Sequence, residues 1–118
     1  MSEPFGKNRT IQPNKMLASH NNRVYKFDEI KSRLAPVFDV NGVRSAVLFG
    51  SYAKNTATVK SDVDLLVDSG LKGLHFFGLV EYVREALDKE VHVIDVTHVV
   101  KNSPVDNEIK RTGIVIYG

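Results

Sequence analysis

Apolar residues recur along this chain with two different periods, and the switches between them divide it into elements. Phe27, Ile30, Leu34, Val37 and Phe38 fall at helical spacing, the mark of a helix with one buried stripe. Asp28 and Glu29 lie in its first turn, where carboxylates suit the positive end of a helix. Pro36 predicts a kink or an early stop, and Asn41-Gly42 ends the run. Val43 to Phe49 then reads as a buried strand, and Tyr52 to about Thr56 as a short helix. Ser61 to Val67 alternates in the manner of a second strand, broken at Ser69-Gly70. Leu74 to Leu87 predicts a longer helix, with Phe76, Phe77, Val80, Val83 and Leu87 toward the sheet and Glu81, Arg84 and Glu85 outward. Val91 to Val96 reads as a third strand. Ser103-Pro104 opens a last helix with a capping hydroxyl and a proline in the first turn. Val105 and Ile109 form its inner stripe, Gly113 caps it, and Ile114 to Tyr117 makes a final strand. This order predicts an α/β (α+β) fold, a small mixed sheet of about four strands with helices packed on it.

Residues 1–22 show no sustained period and are rich in Asn, Lys, Ser and Pro, the composition of a loosely ordered arm, leaving 23–118 as one domain. Within that arm Ile11 to Leu17 is the one stretch able to pack locally or dock on a partner. The chain is 42% hydrophobic and 25% charged with a net charge of +2, ordinary for a globular protein and without a nucleic-acid footprint. There is no cysteine, which excludes disulfides and thiolate metal sites. No apolar stretch approaches the ~20 residues that span a bilayer, and the amino terminus lacks the apolar core of a signal peptide. A cytoplasmic location is the expectation.

Candidate chemistry concentrates between the first two strands. An apolar run stops at Gly50, where a missing side chain lets another group come close, and Ser51 follows with a hydroxyl and backbone N–H groups suited to an anion. Asp62 and Asp64 alternate with Val63 and Leu65, so in a strand both carboxylates share one face. Two close like charges are costly unless a cation sits between them. A phosphate site beside a divalent-metal site suits a nucleoside triphosphate. Read without the Gly50-Ser51 turn, the acidic pair would be only the solvated face of an edge strand.

Gly50-Ser51 followed by Ser61-Asp62-x-Asp64-Leu65-Leu66-Val67 resembles the motif of the DNA-polymerase-beta-like nucleotidyltransferase superfamily. In length and flanking elements, residues 25 to 117 are most similar to its minimal members, the MNT domains. The resemblance implies transfer of a nucleoside monophosphate, AMP from ATP above all, to an acceptor hydroxyl. Gly50 and Ser51 would bind the nucleotide phosphates, and Asp62 and Asp64 would be catalytic ligands of Mg²⁺, or Mn²⁺, in a two-metal site with ions ~3.5–4 Å apart. It also implies a protein partner, a HEPN-type toxin that an MNT antitoxin adenylylates, and a homo- or hetero-oligomer.

Three positions depart from the family pattern. Lys54-Asn55 stands where Arg-Gly is common; Lys54 keeps the charge, and Asn55 is the best non-glycine residue for a left-handed backbone. The position of the family's third carboxylate is His92, which suits magnesium poorly and manganese or zinc better. Asp95 is the alternative candidate, but strand parity points it to the opposite face from His92. A second function therefore stands beside the first: a catalytically impaired nucleotide- or metal-binding module that acts by binding a partner protein. His75 and His98 have no visible partners, and His20 belongs to the arm.

Overall fold

A computed structural model describes residues 23–118, so the readings for the arm, Ile11 to Leu17 and His20 included, lie outside the described residues. The elements are α1 (Phe27–Val40), β1 (Ser45–Phe49), β2 (Val63–Asp68), α2 (Gly73–Leu87), β3 (Val91–Asp95), a 3-10 turn (Val96–His98), α3 (Pro104–Thr112) and β4 (Ile114–Tyr117). The strands form one mixed sheet in the order β3-β2-β1-β4. β1 runs antiparallel to both β2 and β4, and β2 runs parallel to β3. The crossover that parallel pairing demands is α2. This is the mixed α/β architecture that the periodicity predicted.

β2 alternates strictly between buried and half-buried positions. Its odd residues, Val63, Leu65 and Val67, join Ala46, Leu48 and Ile116 against α1 and α2 in the core. Its even residues, Asp64, Leu66 and Asp68, therefore look out from the other face. α1 buries Ile30, Leu34 and Phe38, and Tyr25 ties its start to α2 by donating from its hydroxyl to the Leu87 carbonyl at 2.6 Å. α3 lies on the second face, where Ile109 and Leu66 line a cavity of about 390 Å³, and it has no buried residue. Among the described residues no helix is long and apolar enough to cross a membrane.

Several expectations are corrected. α1 runs through Pro36 to Val40, so the early stop does not occur; the carbonyl that loses its donor there belongs to Ser32, an exposed residue. The short helix at Tyr52 to Thr56 is a turn: Lys54 N–H donates to the Gly50 carbonyl at 3.0 Å and Thr56 N–H to the Ser51 carbonyl at 2.9 Å. Asn55 then takes φ 63°, the left-handed value foreseen for it, and stops any helix. β2 starts at Val63, so Asp62 precedes the strand. In α2 the core residues are Leu79, Val83 and Leu87 with Phe76 beside them, whereas Phe77 is 60% exposed. Adjacent Phe76 and Phe77 lie about 100° apart on a helix, and with Phe76 against the core Phe77 falls on the outer side.

Both capping expectations for α3 hold at the level of the backbone. Ser103 Oγ accepts from Asp106 N–H at 3.2 Å. Gly113 follows the helix with an extended φ of −62°, so left-handedness is not what it supplies. A Cβ there would stand 2.6 Å from the Ile109 carbonyl oxygen and 2.9 Å from Val47 Cγ1, so the missing side chain admits close approach of helix and sheet.

Candidate functional site

The site grows from the end of β1. Phe49 pairs with Asp64, and the chain leaves the sheet at Gly50 with φ 77°. A Cβ built on Gly50 would overlap Asp64 Oδ2, so the glycine allows the carboxylate to lie directly against the turn. Tyr52, buried in the core, anchors the turn from below. Among the described residues the N–H groups of Ser51, Tyr52 and Ala53 and the Ser51 hydroxyl have no hydrogen-bond partner. Successive unpaired N–H groups beside a left-handed residue form a concavity that attracts anions. The Gly50 N–H is not among them; it donates to Thr112 Oγ1 at 3.0 Å.

Asp64 pairs across β2 and β3 with His92, and the two side chains share the second face of the sheet. His92 Nδ1 stands 3.6 Å from Asp64 Oδ1, too long for a hydrogen bond. Burial pushes the Asp64 carboxyl above its ordinary range; His92 pulls it back, while the charges of Asp62 and Glu108 raise it further. Asp62 is exposed one residue before β2. The structure thus brings Gly50, Ser51, Asp64 and His92 together and sets Asp62 at their edge.

Asp95 is elsewhere. It pairs with Val67, three positions up β3 from His92, about 10 Å at a strand's rise. It is 3% exposed and accepts four hydrogen bonds, from Ser69 N–H (3.3 Å), Ser69 Oγ (2.8 Å), Thr97 N–H (3.1 Å) and Thr97 Oγ1 (2.7 Å). Burial alone would raise its pKa, but these bonds from Thr97 and Ser69 prevail and hold it at about 2. A depressed carboxyl contributes stability that is complete above the unfolded value near 4 and is lost as pH falls toward 2. The linkage is worth on the order of 2 kcal/mol at neutral pH. Asp95→Asn is therefore expected to lower the free energy of urea unfolding at pH 7 by about that amount. The gap from wild type should close as the pH is taken toward 2, and a gap unchanged with pH would exclude this role.

Two residues at the site gave no signal in the sequence. Glu108, on α3, bears on the Asp64 carboxyl and forms an ion pair with Lys54 at 3.5 Å, and Thr112 holds the Gly50 N–H. Only their i, i+4 spacing on one helix was visible beforehand, and that does not tell which neighbour the helix meets. His75 and His98 are exposed.

Among the described residues no three His, Cys, Asp or Glu side chains converge as a metal cage. The donor set is a half-buried carboxylate under excess negative charge, a second carboxylate at its rim, and a turn of unpaired N–H groups. That set fits Mg²⁺, which is usually held by one or two carboxylates together with substrate phosphates.

Residues 32–118 match the family described as polymerase beta, nucleotidyltransferase. A Methanocaldococcus jannaschii protein bearing the name protein adenylyltransferase is 40% identical over 70 residues, 57% of this chain and 74% of that protein. A crystal structure of a toxin–antitoxin with AMP-PNP contains a chain that superimposes with a TM-score of 0.64 at 22% identity, over 75% of this chain and 73% of that one. The tri-AMPylated Shewanella oneidensis HEPN toxin in complex with its MNT antitoxin gives a TM-score of 0.60 at 19% identity, over 78% of this chain and 72% of that one. At such identities the likeness to solved structures is one of fold.

Proposed function

This chain belongs to the polymerase beta nucleotidyltransferase family and is a nucleotidyltransferase; from that premise we propose that it transfers AMP from ATP to a hydroxyl of a partner protein. One observation carries the proposal: the Asp64 carboxylate lies against Gly50, at the mouth of a turn whose next three N–H groups are unpaired. The acidic group thereby lies against the residue that opens the donor turn.

In this reading the N–H groups of Ser51 to Ala53 and the Ser51 hydroxyl bind the β- and γ-phosphates. Asp64 and Asp62 would hold Mg²⁺ together with phosphate oxygens, and the ion supplies charge neutralisation on the reacting phosphate. The turn then retains pyrophosphate as the bond from the α-phosphorus to the bridging oxygen breaks. The acceptor hydroxyl oxygen forms the new bond to the α-phosphorus as that bond breaks and its proton passes to solvent, over the face of β2 and β3 that carries His92 and Leu66. Catalysis is mainly orientation and charge stabilisation.

A protein acceptor is supported by relatives that bear the name protein adenylyltransferase. The likeness to an MNT antitoxin in complex with an AMPylated HEPN toxin makes a HEPN-type toxin the proposed acceptor. The test is incubation with Mg²⁺ and ATP labelled at the α-phosphate, in the presence of the HEPN-type protein that copurifies. Label is expected on that protein, and none when the γ-phosphate carries it. Binding of Mg²⁺–ATP with no transfer in either Mg²⁺ or Mn²⁺ would favour the non-transferring module, and transfer restored by His92→Asp would assign the loss to His92. An absence of ATP binding would overturn the proposal altogether.

A further inference from the structure

The phosphate turn is tied to α3 at two points, neither of which belongs to the motif. Thr112 Oγ1 donates to the Glu108 carbonyl, one helical turn back, at 2.8 Å. A helical threonine commonly makes this bond, and it commits the hydroxyl proton. The lone pairs of the same oxygen are left to receive Gly50 N–H at 3.0 Å, so donor and acceptor roles are unambiguous. At the other end of the turn, Lys54 Nζ meets Glu108 Oε2 at 3.5 Å, while Glu108 also pairs with Arg111.

These ties matter because α3 buries no residue of its own, unlike α1 and α2. The Phe49–Gly50 peptide is the hinge between β1 and the turn, and its N–H is the group that Thr112 engages. If that peptide rotated, Gly50 would leave its φ of 77° and the turn would swing relative to Asp64. We infer that Thr112 is a positioning residue for nucleotide binding: its hydroxyl fixes the Phe49–Gly50 peptide so that the N–H groups of Ser51, Tyr52 and Ala53 face one triphosphate, with Glu108–Lys54 steadying the far side of the turn. Thr112 touches no substrate in this scheme. Its effect passes through Gly50, and it rests on the phosphate-turn reading given above.

The test uses the whole chain and Mg²⁺–ATP, with affinity read by calorimetry and transfer by α-phosphate label. Thr112→Val keeps the shape and removes the hydroxyl. It is expected to raise the Kd and KM for Mg²⁺–ATP about tenfold, the scale of one hydrogen bond, with kcat changed less than about threefold. Thr112→Ser restores the hydroxyl and should return both constants to within about twofold of wild type. An unchanged Kd in Thr112→Val, or a serine variant as weak as the valine one, would overturn the inference. Should Thr112→Val not fold, Glu108→Gln severs the tie to Lys54 and leaves the backbone acceptor for Thr112 in place. It is expected to weaken Mg²⁺–ATP about threefold, and an unchanged affinity would count against the inference. Wild-type protein that binds no Mg²⁺–ATP is the separate outcome that removes the phosphate turn itself.

Discussion

Asp64→Asn is expected to abolish nucleotidyl transfer while leaving the fold intact or more stable. The substitution keeps the shape of the side chain and removes one negative charge. If Asp64 holds the cation that neutralises the reacting phosphate, several kcal/mol of transition-state stabilisation disappear, about a thousandfold in kcat. The stability change has the opposite sign. The Asp64 carboxyl is raised above its usual range, chiefly by burial, so ionising it costs folded protein more than unfolded protein. A raised acid contributes stability at low pH that is lost as pH climbs through the folded-state pKa, and at neutral pH the charge is a liability. Asparagine removes that liability, so the metal-free variant should melt no lower than wild type. A functional group that strains the empty fold is the usual trade between stability and activity. Measured label transfer and thermal unfolding together decide the matter. Full activity in Asp64→Asn would remove the proposed catalytic role, and a collapse of stability would recast Asp64 as structural.

Gly50→Ala should be the second severe change, for two reasons that a control can separate. At φ 77° any side chain costs roughly 1–3 kcal/mol of backbone strain. Its Cβ would also overlap Asp64 Oδ2 and drive the carboxylate off the turn. A displacement of about 1 Å at a reacting centre can cost about a hundredfold in rate. Gly42 has a similar φ of 70° but nothing within 4 Å of a built Cβ. Gly42→Ala should therefore show the stability loss in urea unfolding and keep its transfer rate, whereas Gly50→Ala should lose both. Equal rates in the two variants would mean that contact between Gly50 and Asp64 is irrelevant to turnover.

Legibility in the sequence followed the range of the interaction. The β2 alternation was readable because a strand's two faces follow from a period of two, and Asp64 fell on the outward face accordingly. The left-handed Asn55 was readable because few non-glycine residues tolerate that backbone. Phe77 misled because hydrophobicity does not reveal helical phase, and the turn after Ser51 misled because five residues satisfy a helix and a turn equally well. Asp95 could be argued from parity alone, but the Ser69 and Thr97 donors that occupy it depend on how the loops fold back.

By itself the order of residues determined the alternation of strands and helices, the one-sided burial of β2, and the glycine–serine bend followed by an acidic pair. Each of these depends on neighbours within a few positions, where backbone geometry does the selecting. Tertiary structure alone decided that Asp64 touches Gly50, that Ser69 and Thr97 occupy Asp95, and that Thr112, 62 residues further on, secures the Gly50 N–H. Those contacts depend on which strands pair and on where α3 comes to rest, and no local rule of spacing carries that information.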